Sequence, residues 1–252
     1  MEYDILKDLK FRSSWSLDNT ELSENNYADT YISAGIATNG SATSYRVRNS
    51  VYTAEQLLTY NKTFSKDHAL NLLVGNTINA VQRQSTSASG DGFATNDLKD
   101  ISVAATKSGS SSKSESRLLS FFGKASYTLF DKYTIDGSIR ADGSSKFGKN
   151  NRWGYFPSVG LTWDASQESF IKDLRTFDAL KLRGSFGYSG NQNGIGSYAA
   201  LGLWSAGSNY IETAGTAPSQ LANPDLTWET TRQLDLGFDF SILKSALSFS
   251  FD

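Results

Sequence analysis

Two pairs of carboxylates stand close in sequence, Asp136 with Asp142 and Asp225 with Glu229. Pairs of this kind do the acid–base work of glycosidases. They are also what any polar strand face carries, so they do not by themselves define a catalytic centre. The stretch SGDGFATND (89–97) offers oxygen donors in the manner of a calcium loop. It lacks the full ligand spacing and the bidentate glutamate, so a flexible loop is expected there. GSSKFGKNN (143–151) is basic and glycine-rich but has neither the spacing nor the context of a phosphate-binding loop. His68 is the only histidine and cysteine is absent. That removes most hydrolase triads, most zinc sites, thiolate metal sites and disulfide frameworks, and His68 itself is expected to be plain surface. No catalytic, metal or cofactor residue is assigned, and no cofactor is expected. The better candidates are aromatics between two apolar-patterned segments: Tyr198, Trp204 and Tyr210. Aromatic faces stack on the C–H faces of sugars, or pack against neighbouring loops.

Those residues need elements to hold them. The 252 residues carry a net charge of −2, so nothing points to nucleic acid. Aromatics make up 13 % while proline occurs three times, the habit of β-sheet chains. No apolar run is long enough for a membrane helix, and the residues after Met1 lack the apolar segment of a signal peptide. Period-two alternation dominates instead. In FFGKASYTLF, Phe121, Gly123, Ala125, Tyr127 and Leu129 share one face, and Phe122, Lys124, Ser126, Thr128 and Phe130 the other. A tight turn at Asp131-Lys132 leads into KYTIDGSIRAD, which repeats the pattern. About nine strands follow from such matching, near 9–17, 44–64, 68–80, 121–130, 132–142, 152–165, 180–189, 232–240 and 247–252, with a turn at Lys66-Asp67. Connections alternate between long (18–43, 81–115, 190–226) and short. KSGSSSKSES (107–116) reads as a polar, linker-like loop, and QESFIKDL as a helical piece within a turn.

The distribution of aromatics and charges distinguishes the possible β folds. Trp153 and Tyr155 sit at the long-loop end of one strand and Trp163 at its turn end, on the same face. Ten residues of strand span roughly 33 Å, or roughly 25 Å of height when tilted, which matches the apolar band of a membrane barrel. Tyr127 and Tyr133 lie beside the turn at 131, as a lower girdle requires. The opposite face carries Lys124, Asp136, Arg140, Asp142, Arg183, Glu229 and Asp235, more charge than a dry core buries cheaply. Arg232 falls on the apolar parity, to be explained by snorkelling or by a bulge. The expected fold is all-β: an antiparallel up-and-down transmembrane β-barrel, here a partial barrel with long external loops, with residues 1–252 in one domain. A soluble carbohydrate-binding β-sandwich and a passive porin are the rival readings.

IRADGSSKFGKNNRWGYFPSVGLTW, LKLRGSFGYSGNQ and NPDLTWETTRQLDLGFDF, in that order, closely resemble the SusC/RagA-like TonB-dependent outer-membrane transporters of Bacteroidetes. EYDILKDLKFRSSWSLD and LLSFFGKASYTLFDKYTIDGS look like earlier barrel strands of the same family, so the resemblance runs across nearly the whole chain. It implies a much larger barrel with an N-terminal plug and a TonB box, embedded in outer-membrane lipid. It also implies a SusD-like surface lipoprotein as lid and TonB-driven uptake of an oligosaccharide or peptide. Plug, TonB box and closing strands are not among these residues, so a fragment of the barrel is expected. In this frame Tyr198, Trp204 and Tyr210 touch either cargo or lid. Asn223-Pro224-Asp225 returns a long external loop to the rim. Trp228 is expected to anchor the membrane interface, and Glu229 to face the lumen.

Overall fold

The computed structural model describes residues 1–65 and 67–252; Lys66, half of the expected turn at Lys66-Asp67, lies outside the described residues. Among the described residues twelve strands follow one another: β1 (Glu2–Leu6), β2 (Leu9–Ala28), β3 (Ser41–Ser65), β4 (His68–Asp91), β5 (Thr106–Leu129), β6 (Tyr133–Ser144), β7 (Trp153–Asp164), β8 (Phe177–Asn191), β9 (Leu203–Ala206), β10 (Thr216–Gln220), β11 (Glu229–Ile242) and β12 (Leu247–Phe251). Ten of them form one sheet in the order β1-β2-β3-β4-β5-β6-β7-β8-β11-β12, an up-and-down meander, while β9 and β10 pair separately. The expected strands are all present. Alternation in the sequence did not reveal β1, which pairs with β2, or the small β9–β10 hairpin inside the long loop.

The chain divides into two compact units. Residues 1–15, 54–78 and 118–252 form the first, and residues 16–53 and 79–117 the second.

In the first unit the register keeps the two faces apart. Phe121, Ala141 and Tyr155 align across β5, β6 and β7, as do Tyr127, Ile135 and Leu161. Val159 faces Phe186, which faces Leu234 on β11. On the opposite face Lys124 aligns with Ser138 and Ser158, and Asp136 with Ser126 and Gly160. Arg232 pairs with Tyr188 inside an unshifted stretch of the β8–β11 register. The bulge is thereby excluded: the guanidinium stays on the apolar face, where its long stem can reach water at the rim. The apolar face is bare. Tyr155, Leu161, Leu234 and Leu236 are each more than half exposed.

Turns close one end of this unit. Phe130 and Asp131 both take left-handed φ angles, 56° and 54°, so the expected turn at Asp131-Lys132 begins one residue earlier. The expected helical piece is a short helix, Ser169–Leu174, ended by Arg175 at φ 50°. Glu168, just before it, ties the end of the sheet together. Its Oε1 accepts the Tyr133 hydroxyl at 2.5 Å and the Trp163 indole N–H at 3.4 Å, while Oε2 meets Lys132 Nζ at 2.9 Å.

His68 does not sit as plain surface. It is half-buried, with Nδ1 2.5 Å from the Tyr127 hydroxyl.

In the second unit the strands run further than their apolar pattern. β2 continues to Ala28 and β4 to Asp91, and β5 already begins at Thr106, so KSGSSSKSES is strand, not linker. Ladder hydrogen bonds do not require apolar side chains, and the serines pair with one another. Hydroxyls of Ser85 and Ser112, Ser87 and Ser110, and Ser89 and Ser108 lie 2.7–2.8 Å apart. SGDGFATND is packed rather than flexible. Phe93 is buried among Ala42 and Ala104, with Tyr27 edge-on at 5.2 Å. Asn96 Oδ1 accepts the Tyr27 hydroxyl and the Thr30 amide.

The Glu168 carboxyl is held below its ordinary value, first by the Tyr133 hydroxyl and next by the Lys132 ammonium. A lowered folded value means that its stabilisation is present above the free-glutamate value of about 4.3 and is lost as pH falls through the folded value. Hydrogen-exchange protection of 165–174 in the intact protein should therefore fall on acidification below about pH 4.3. Glu168→Gln should give weaker protection that no longer changes there. An unchanged acid dependence in the variant would disprove the linkage.

Candidate functional site

The charged residues on the polar face of the first unit are mostly neutralised by their neighbours. Lys124 Nζ lies 3.5 Å from Asp136. Arg140 Nε reaches both oxygens of buried Asp142 at 2.8 Å, its Nη2 donates to Ser120 Oγ at 2.8 Å, and its guanidinium lies over the Phe122 ring. Arg183 pairs with Asp239 at 3.0 Å and with Asp252 at 3.0 Å. Asp235 accepts from Ser185 and Gln233, and Glu229 from Asn191, all neutral donors. Of these groups, Lys124, Asp136, Arg183 and Asp235, with Gly160 and Ser189, border an open trough of about 510 Å³. Asp136 and Asp142 are each engaged by a cation, and Asp225 and Glu229 by asparagines, so neither carboxylate pair is set up for acid–base work.

The loop end of this unit holds a site that alternation alone did not reveal. Phe147, Phe156 and Trp228 form a buried cluster, with ring centroids 4.5 Å apart for Phe147–Trp228 and 5.5 Å for Phe156–Trp228. The assignment of Trp228 to the membrane girdle is corrected: its side chain is 9 % exposed, and its indole N–H donates to the Arg152 carbonyl at 3.0 Å. Trp228 precedes the ladder of β11, so strand parity does not dictate where its ring goes. Phe156 carried a signal in the sequence, being a large aromatic on the parity of Arg140, its partner across β6 and β7.

Around this cluster the NPD turn docks on residues 147–152. Gly148 N–H donates to the Leu226 carbonyl, Asn150 Nδ2 to Asp225 Oδ1 at 2.8 Å, and Asn151 Nδ2 to the Asp225 carbonyl. A Cβ on Gly148 would lie 2.0 Å from the Pro224 oxygen, so only glycine permits this approach. Gln192 joins from β8's end, accepting the Ser144 hydroxyl at 2.7 Å. The stretches 143–152, 190–192 and 223–229 thus meet at one place.

The remaining aromatics divide by position. Trp153 stacks on Phe121 at 6.2 Å, over Gly143, and Tyr155 stands exposed one turn of the pleat away. Tyr133 and Trp163 turn their polar tips to Glu168, and Tyr127 turns its own to His68. In the long loop, Trp204 lies on β9 opposite Pro218 of β10 and is 67 % exposed; Tyr210 closes a bridge with Thr213 and is 77 % exposed. Gln220 Nε2 donates to the carbonyls of Tyr198, Ala199 and Leu201, which fixes the backbone below Tyr198.

A meander with one bare apolar face, one paired polar face and aromatics near both ends defines the wall of an outer-membrane β-barrel. Comparison with known proteins gives the same class. The family model described as TonB dependent receptor-like, beta-barrel, matches residues 2–252. The chain belongs to that family, whose members are outer-membrane transport proteins and not enzymes. It is 35 % identical over 259 residues to TonB-dependent receptor P3 of Formosa agariphila, covering 99 % of this chain and 25 % of the relative. It is 36 % identical over 141 residues to TonB-dependent receptor SusC of Bacteroides thetaiotaomicron, covering 54 % and 14 %. A solved structure of the RagAB peptide transporter superposes with a TM-score of 0.91 at 26 % identity, covering 99 % of this chain and 28 % of that one. The chain therefore spans about a quarter of the length of the relatives it matches along its whole extent.

The aromatic cluster anchors the loop between Asn191 and Glu229. Trp228→Ala should cost about 3–5 kcal/mol locally, as truncations of buried large aromatics do. It should free the loop for limited proteolysis near 200–222 while the barrel stays assembled. Trp228→Phe should restore most of the protection. Equal protease resistance in parent and alanine variant would refute the anchoring role.

Proposed function

We propose that residues 1–252 form part of a single barrel domain in an outer-membrane nutrient importer. In this reading the complete protein takes up an oligosaccharide or peptide, is energised by the TonB complex, and is closed from outside by a SusD-like surface lipoprotein. The observation that carries the reading is the bare apolar face of the first unit. A soluble sandwich would bury Leu161, Leu234 and Leu236 against a second sheet; here each is more than half exposed. Exposed aliphatic side chains flanked by Trp153, Tyr155, Tyr133 and Trp163 are what a lipid-facing surface requires. Lys124, Asp136, Arg140, Asp142, Arg183, Glu229 and Asp235 then line the water-filled interior. The RagAB structure, described as a peptide transporter, and the relative SusC support import by a two-component system. Tyr198, Trp204 and Tyr210, on the external loop, are the proposed contacts with cargo or lid.

Cysteine is absent from the chain, so introduced thiols report cleanly. In the full-length protein in intact outer membranes, with any cysteine elsewhere in it removed, Ser158→Cys and Thr162→Cys should react with a charged thiol reagent. Val159→Cys and Leu161→Cys should not. Reaction at all four positions would dismiss the membrane reading. In cells depending on this protein for uptake, Trp204→Ala with Tyr210→Ala should slow uptake about fivefold, corresponding to about 1 kcal/mol of lost aromatic contact. Collapse of the proton-motive force should stop uptake. Uptake that continues would establish a passive pore in its place.

A further inference from the structure

We propose that the outward face of the second unit binds the phosphate groups of outer-leaflet glycolipid headgroups. This rests on the outer-membrane placement of the family and is independent of the import reading.

The unit has two unlike faces. One carries the paired serines of β4 and β5. The other carries Leu17 on β2 and Tyr52 on β3, two apolar side chains that are 56 % and 48 % exposed. On a strand of a membrane barrel, bare side chains of this kind face lipid. On both strands the character of this face then changes within a few residues toward the connection at 29–40. On β2 the same parity passes from Leu17 through Asn19 to Glu21, about 13 Å of strand. On β3 it passes from Tyr52 through Ser50 to Arg48 and Arg46. An apolar-to-charged transition over that distance, acidic on β2 and basic on β3, matches the passage from acyl chains to headgroups.

The charge at this level is not balanced internally. Arg46 Nε and Arg48 Nη2 each lie 3.6 Å from Glu21, so two guanidiniums share one carboxylate. Both distances exceed hydrogen-bond length, and both arginine side chains remain more than 60 % exposed. One net positive charge and forked N–H donors are left for a ligand. Beside them lies a polar hollow of about 360 Å³, bordered by Glu21 itself and by Arg48, Ser50, Tyr52, Gln82 and Gln84. Guanidinium forks match phosphate oxygens in geometry as well as charge, and Tyr52 can lie along the adjoining acyl chain. The outer-leaflet glycolipid presents phosphate at this depth, which a neutral lipid or an acidic protein surface does not.

The test uses the full-length protein containing these residues, purified in detergent. It is exposed to vesicles of lipid A carrying its phosphates, to vesicles of the same lipid with the phosphates removed, and to inorganic phosphate. The phosphorylated lipid should remain bound through washing and the stripped lipid should not. Arg46→Gln with Arg48→Gln should reduce retention about tenfold, with assembly checked by heat-modifiable gel mobility. Glu21→Gln should raise it, because the competing carboxylate is gone. Equal retention of stripped lipid, or undiminished retention by the assembled arginine variant, overturns the proposal. So does displacement by an equal concentration of inorganic phosphate, which would mark a free-anion site. Should the double variant fail to assemble, the absence of any rise in Glu21→Gln overturns the proposal by itself.

Discussion

A peptide group in hydrocarbon has no water to bond, and leaving it unpaired costs several kcal/mol. The meander follows from that constraint. From β5 through β8 to β11 each strand pairs with its neighbour without a slip across its middle; the one shift in the β8–β11 ladder comes at its end, between Ser241 and Ile242. Unbroken pairing enforces a period of two on the side chains. Two faces then have to differ, one tolerating lipid and the other water. Arg232 shows how firmly the ladder governs. It stays in register on the apolar face rather than opening a bulge, because its own side chain can reach the rim more cheaply than the backbone can give up hydrogen bonds.

Where the ladder stops, a different kind of organisation takes over. The chain leaves β8 at Asn191 and returns at Glu229, and holding such a long excursion closed costs chain entropy. The return is secured by side chains from three distant stretches. Trp228 fills the space between Phe147 and Phe156, Asp225 is held by Asn150 and Asn151, and Gly148 lets the Pro224 backbone come within contact. The proline restricts the approach and the glycine makes room for it. The asparagines satisfy backbone and carboxylate groups that a loop would otherwise leave to solvent. The motif that begins with Asn223 is thus a fastening between two loops as much as an entry to a strand.

Alternation made the faces of β5 to β8 and β11 readable, since burial against lipid on one side and wetting on the other write a period of two into the residues. It failed where neither face carries apolar side chains. Residues 107–116 have no apolar period, yet they form strand because serine hydroxyls satisfy one another across β4 and β5. It failed again just outside the ladders, where parity no longer dictates direction, so Trp228 was assigned to the rim and lies inside. Phe93 escaped notice for a related reason. A single phenylalanine among glycines and polar residues looks like loop until Tyr27, far away in sequence, is seen against it. Phe156 was legible in principle: an aromatic on a polar parity needs a partner, and the partner is Trp228.

Pairing within the polar face limits what its charges can do. Lys124 with Asp136 and Arg140 with Asp142 each place opposite charges within 4 Å. Seen from beyond a Debye length, about 8 Å at physiological salt, such pairs are dipoles rather than charges. Beyond that length these pairs steer a solute little, and one in contact meets fixed donors and acceptors in a definite pattern. Arg140 takes this furthest, with Asp142, Ser120 and the Phe122 ring all engaging one guanidinium. A flexible lysine there would keep the charge but lose the orientation, because only the planar fork holds carboxylate and hydroxyl at once.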